Sequence, residues 1–306
     1  MSVAVASEIP AAATLVRWRD GHALPLTIVL LALLVIWYAG AVWLNAPQVI
    51  DIAFSGRQDW TTRELIDATW SMERPVLPAP HQVAVEFYES VFEQDLTSRR
   101  SLAYHAMVTA SATLLGFLFG IALGVLLAVG IVHVRTLDRS LLPWVIASQT
   151  VPILAIAPMI IVVLGNAGFT GLLPKAIISM YLCFFPVTIG MVKGLRSPDP
   201  LQLDLMRTYS ASPAQVFWKL RSPASVPFLF ASLKVAIGIS LVGAIVGELP
   251  TGAQEGIGAR LLSGSYYGQT VQIWAALVMA ALLGTVLVAL VGAIERLTLR
   301  QMGARP

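Results

Sequence analysis

The chain has 306 residues, 57% of them hydrophobic and 12% charged, with a mean hydropathy of +0.77; a soluble domain carries about twice as much charge. Such a composition belongs to a chain solvated partly by lipid. A net charge of +3 is too small to argue for nucleic acid, and the single cysteine, Cys183, excludes an intrachain disulfide and a multi-cysteine metal site.

Residues 1–23 read as a loose tail. Six apolar runs follow, at 24–44, 104–132, 140–164, 172–192, 226–247 and 271–294. Each approaches or exceeds the roughly 20 residues that a membrane-crossing helix needs, and none alternates as barrel strands do. The expected fold is therefore all-α and integral to the membrane, with six transmembrane helices in one domain over residues 24–295.

Arg17, Arg19 and the small pair Ala39 and Ala41 imitate a signal peptide. The apolar run continues through Val42, Trp43 and Leu44, which predicts an uncleaved first helix. The next segment, 45–103, is rich in acids and holds two expected short helices, one at 61–70 and one launched by Pro80. In the second, Val83, Phe87 and Val91 recur every four residues, a stripe that should lie on the membrane surface or against the outer ends of the spans.

Gly116, Gly120 and Gly124 put a smooth stripe on the second span, suited to close helix approach. Pro143, Pro152 and Pro158 predict a kinked third span. Near its middle, Ser148, Gln149 and Thr150 either bind a neighbouring helix or line a wet path. Lys234, two turns into the fifth span, needs a partner or a route to water. With Ser240 and Glu248 on the same run, these residues are the candidate pathway. Gly252, Gly256, Gly258 and Gly264 suggest a tight outer loop, and no nucleotide-binding lysine motif follows any glycine series. The four histidines have no metal-selecting spacing, and Tyr266, Tyr267 and Trp274 suit an interfacial belt.

Lysines and arginines in the short loops favour the cytoplasm. Arg17 and Arg19, then Arg135 and Arg139, then Lys193, Arg196, Arg207, Lys219 and Arg221, then Arg296, Arg300 and Arg305 fall on one side if six spans leave both termini inside. Segment 45–103 is then periplasmic, segment 194–225 cytoplasmic, and 296–306 a cytoplasmic tail.

The cytoplasmic segment reads as two capped helices. Asp199 precedes Pro200, and Ser212 precedes Pro213 with Gln215 three residues on, a capping-box arrangement. Val216, Phe217 and Leu220 project from one side, next to Trp218, and such a cluster is a docking element. Pro223 and Pro227 are expected to end the hairpin and launch the fifth span.

The spacing resembles a loop shared by the permeases of binding-protein-dependent ABC importers: Glu-Ala-Ala, three residues, Gly, nine residues, Ile, any residue, Leu, Pro. Here Asp204, Leu205 and Met206 stand for Glu-Ala-Ala, Ser210 for the glycine, Leu220 for the isoleucine, Ser222 for the leucine and Pro223 for the proline. Further stretches resemble the nitrate, sulfonate, taurine and pyrimidine-precursor branch: residues 76–80, 149–158 and 231–249. The resemblance implies a type I ABC importer permease fold and a non-catalytic subunit in the bacterial inner membrane. It implies a second permease copy, an ATPase subunit that uses the ATP and magnesium, a periplasmic solute-binding protein and surrounding lipid. The coupling residues it implies are Asp204, Ser210, Ser212, Pro213, Val216, Phe217, Leu220 and Pro223. An ion-coupled secondary carrier is the alternative, which would need carboxylates in mid-span.

Overall fold

The computed structural model describes residues 23–57, 59–250 and 255–303, and every regular element among them is helical. The expected N-terminal tail lies almost wholly outside the described residues, as do Gly252 and His22. The chain divides into two units, one through Val85 and one from Glu86.

In the first unit, α1 (Ala23–Ile52) is the first apolar run extended by two turns. Thr61 caps α2 (Thr62–Trp70) in a capping box with Glu64. The extended segment before α3 (Pro80–Tyr88) is tied to α1 by Asn45, which is fully buried. Its Oδ1 accepts from the amides of Val76 (2.8 Å) and Leu77 (3.1 Å), and its Nδ2 donates to the Leu77 carbonyl at 2.8 Å. Trp37 Nε1 adds a bond to the Pro78 carbonyl at 3.0 Å.

The second unit holds α4 (Leu102–His133), α5 (Arg135–Ala147), α6 (Ile153–Asn166) and α7 (Leu172–Leu195). It continues with α8 (Pro200–Thr208), α9 (Pro213–Val216), α10 (Ser222–Glu248), α11 (Ile257–Tyr266) and α12 (Thr270–Gln301). Its core is α7 flanked by α4 and α10. A Cβ on Gly116 would stand 2.5 Å from the Ala176 carbonyl and from Ser179 Cβ, and one on Gly243 would stand 2.8 Å from Ser179 Cα. The glycine stripe on α4 therefore does bring two helices into backbone contact. Phe87 and Val91 pack on Leu102, Ile257, Ala275 and Ala276, so this part of the amphipathic stripe lies against helix ends.

Five helices are individually long and apolar enough to span a membrane. The third expected span is a broken one: residues 135–150 and 153–166 meet at 102°. Of its three prolines only Pro152 breaks the helix. The residue before a proline is driven out of the helical region, and Val151 is extended, with φ −81° and ψ 122°. Either arm covers about 21–24 Å at 1.5 Å per residue, short of the hydrocarbon thickness of about 30 Å. Two further expectations change. The outer loop with the glycine series carries a helix, α11, and much of the expected C-terminal tail is the last turns of α12.

Gly116→Ala should lower stability by about 1–3 kcal/mol, because the neighbouring backbone of α7 has no room to give. Gly165→Ala, with nothing within 4 Å, should hold or gain up to about 1 kcal/mol; melting in detergent compares the two. Asn45→Leu should orphan two amides and a carbonyl, at about 1–3 kcal/mol for each one that water does not reach. Limited proteolysis of the segment between α1 and α4 should then run faster.

Candidate functional site

The hairpin after α7 is built by its caps. Asp199 Oδ1 accepts from Leu201 N at 2.8 Å while Gln202 Oε1 accepts from Asp199 N at 3.3 Å. Pro200 occupies the first turn, where a missing N–H costs nothing,. Ser212 and Gln215 repeat the arrangement at 3.3 and 2.8 Å ahead of α9.

Between the caps, α8 closes with the Ala211 amide bonded back to the Met206 carbonyl at 3.0 Å. That closure requires a left-handed residue, and Ser210 takes it at φ 51°, the sole non-glycine residue at positive φ among the described residues. Serine thus makes the glycine turn in the glycine conformation, at a cost of about 1–2 kcal/mol.

The second arm is not a separate helix ended by prolines. From Pro213 to Glu248 the chain is one 36-residue helical run, interrupted by a π-helical turn at Phe217–Arg221. Pro223 follows that wide turn, so its missing donor falls where the bonding ladder is already being reset. The second arm of the hairpin is thereby continuous with the fifth span.

The two faces of the hairpin differ from the sequence expectation. Phe217 turns inward, packing against the cluster of Ala128, Ile131, Met191, Val192 and Leu195, edge-on to His133 at 5.3 Å. Val216 and Leu220 are half-buried. The outward residues are Leu201, Leu205, Tyr209 and Trp218, at 77%, 56%, 76% and 69% exposure. The first three recur every four residues along α8 and its C-cap, a spacing that is legible in the sequence. Asp204 is exposed and pairs with Arg207 at 2.8 Å. Arg196 meets Asp138 of α5 at 2.9 Å, and the Ser212 and Pro213 side chains are exposed.

The six candidate pathway residues separate. Ser148, Gln149 and Thr150 form a 3₁₀ turn at the break between α5 and α6. The two hydroxyls bond back to the carbonyls of Val145 and Ala147 at 2.7 and 2.8 Å, Gln149 and Thr150 are exposed, and Tyr181 donates to the Ser148 carbonyl at 2.7 Å. Ser240 is fully buried, bonded to Ser179 Oγ at 2.5 Å and donating to the Thr113 carbonyl at 3.0 Å, where α4, α7 and α10 meet. Lys234 is ion-paired with Glu295 of α12.

Glu248 is fully buried, and its partner Lys175 is 7% exposed. The two sit 3.7 Å apart. Thr109 Oγ1 reaches both carboxylate oxygens at 2.9 and 3.0 Å, and the Gly258 amide donates to Oε2 at 2.8 Å. Sequence reasoning missed Lys175 and Glu295. Lys175 lies near the start of α7 and Glu295 near the end of α12; the signal that could have found them is that Glu248 and Lys234, as charges on an apolar span, each demand a partner.

Residues 120–302 match the family of the binding-protein-dependent transport system inner membrane component. The chain is 31% identical to a probable ABC transporter permease protein of Haemophilus influenzae, over 69% of this chain and 83% of that one. It is 29% identical to the riboflavin transport system permease protein RibX of Chloroflexus aurantiacus, over 91% and 90%. It is 27% identical to the formylaminopyrimidine transport permease protein ThiX of Halalkalibacterium halodurans, over 78% and 80%. With a broken third span, a capped hairpin continuous with the next span and a family match over most of that region, the chain belongs to the binding-protein-dependent inner membrane components and is a multi-pass permease subunit of an ABC importer.

Proposed function

We propose that the hairpin is where a separate ATPase subunit docks, and that its movement reorients the spans. The single observation that carries this reading is the stripe of Leu201, Leu205, Tyr209 and Trp218, exposed on a capped hairpin that continues through a π-helical turn into α10. Apolar groups grouped on such an element are a protein-binding surface. Asp204, Ser210, Ser212 and Pro213 shape the wedge; Val216, Phe217, Leu220 and Pro223 seat it on the core.

In this reading both termini and the hairpin face the cytoplasm, and the membrane is a bacterial inner membrane. Two copies of the chain enclose the pathway, with the turn at Ser148, Gln149 and Thr150, its last two residues exposed, on its wall. The chain itself performs no catalysis; ATP and magnesium belong to the docked subunit, and a periplasmic binding protein delivers the solute. That solute is a small polar molecule or anion. Support comes from relatives named for riboflavin and formylaminopyrimidine, and from others named for aliphatic sulfonates and nitrate, 26% and 28% identical. Competition for uptake into proteoliposomes among these four compounds selects the class.

Leu205→Asp with Tyr209→Asp should reduce co-purification of the ATPase subunit at least tenfold while helix content and melting stay at wild-type values. Normal assembly of this variant would sink the docking assignment. Phe217→Asp should instead lower the melting temperature, because it buries a carboxylate against Ile131 and Met191 at a cost of about 2 kcal/mol or more. Ser210→Gly should stabilise the hairpin by about 1 kcal/mol by removing the left-handed penalty, seen as slower hydrogen exchange of residues 206–212.

A further inference from the structure

Four consecutive residues at the start of α11 are each held by a side chain of the core. Lys175 Nζ donates to the Glu255 carbonyl at 2.9 Å. The Gly256 amide donates to His105 Nδ1 at 2.9 Å, the Ile257 amide to Thr109 Oγ1 at 2.8 Å, and the Gly258 amide to Glu248 Oε2 at 2.8 Å. The holders come from α4, α7 and α10. His105 is itself fixed through Nε2 to the Arg99 carbonyl at 2.8 Å.

The fit leaves no slack. Gly256 has φ +115°, and a Cβ there would fall on the Glu248 carboxylate; a Cβ on Gly258 would stand 2.8 Å from Glu248 Cβ. His105, Thr109 and Glu248 are almost wholly buried, so water cannot replace these bonds without opening the core. Three of the four bonds satisfy the first amides of α11, which have no partner within the helix, and all the acceptors belong to α4 and α10,. At the far end of the same helix, Tyr266 and its C-cap Tyr267 are 79% and 70% exposed, aromatic side chains that suit the membrane interface and equally anchor protein contacts there.

We infer that Glu248, Thr109, His105 and Lys175 are positioning residues that clamp α11 to the three-helix core, so that contact of the periplasmic binding protein with Tyr266 and Tyr267 is felt by α4, α7 and α10 together. This rests on the reading that such a protein docks on the outer face. A helix on a slack tether would absorb the contact; one fixed at four successive backbone groups passes it on as a rigid body.

The test uses the complete importer, with its ATPase subunit and solute-binding protein, in nanodiscs. Thr109→Val keeps the shape but removes the hydroxyl that donates to Glu248 and accepts from Ile257. Hydrogen exchange at residues 255–262 should quicken at least tenfold with no change in α7 and α10. ATP hydrolysis stimulated by the binding protein should fall several-fold with basal hydrolysis unchanged, and Thr109→Ser should restore both. Gly256→Ala, which displaces the start of α11 by a different route, should move both readouts the same way. Unchanged exchange in both variants, or quickened exchange with full stimulation, overturns the inference. A wild-type complex whose hydrolysis ignores the binding protein removes the docking reading itself, and transmission through α11 with it.

Discussion

Backbone contact between helices holds this protein's second unit together. Lipid tails are as apolar as leucine, so helices in a membrane gain little from hiding apolar side chains and are held by close packing and by hydrogen bonds across the contact. Gly116, Gly120 and Gly124 give α7 its seat on α4. Gly190 and Gly194 of α7 and Gly243 and Gly247 of α10 do the same on the other side, where serine side chains fill the seam. The Ser179–Ser240 bond and the donation from Ser240 to Thr113 lock the three helices at one level. With α7 gripped from both sides, the functional pieces have a fixed frame from which to extend.

Charge within the apolar region follows the same economy. Glu248 with Lys175 near one end of the core, and Lys234 with Glu295 on α10 and α12, each neutralise a group that hydrocarbon would not tolerate alone,. Glu248 does more than pair. Its second oxygen accepts a helix amide, so a buried carboxylate also meets the positive end of α11,. Both carboxylates are thus tied to partners on other helices of the unit.

The hairpin shows how rigidity is achieved without a core of its own. Two capping boxes, a left-handed serine and a π-helical turn set the angle between α8 and the run from Pro213. Phe217 fastens the second arm to the C-terminal ends of α4 and α7, and the α8 stripe stays exposed. The outcome is a hairpin anchored at an aromatic residue, with Leu201, Leu205 and Tyr209 exposed on its first arm.

Much of this was legible in the chain itself. Apolar runs of about 20 residues admit few structures other than spanning helices, and the glycine spacing on α4 and the caps at Asp199 and Ser212 act over three or four residues, so local order alone settles them. The family resemblance was legible for the same reason, since the spacing from Asp204 to Pro223 is local. Partners distant in the chain were not. Thr109 and Glu248 are 139 residues apart, and only the packing of α4 against α7 and α10 brings them within bonding distance. The inward turn of Phe217, the break at Val151 rather than at Pro143 or Pro158, and the clamp on α11 were likewise decided by tertiary structure. Periodicity tells which residues share a face, but which face meets a neighbour depends on where the other helices lie.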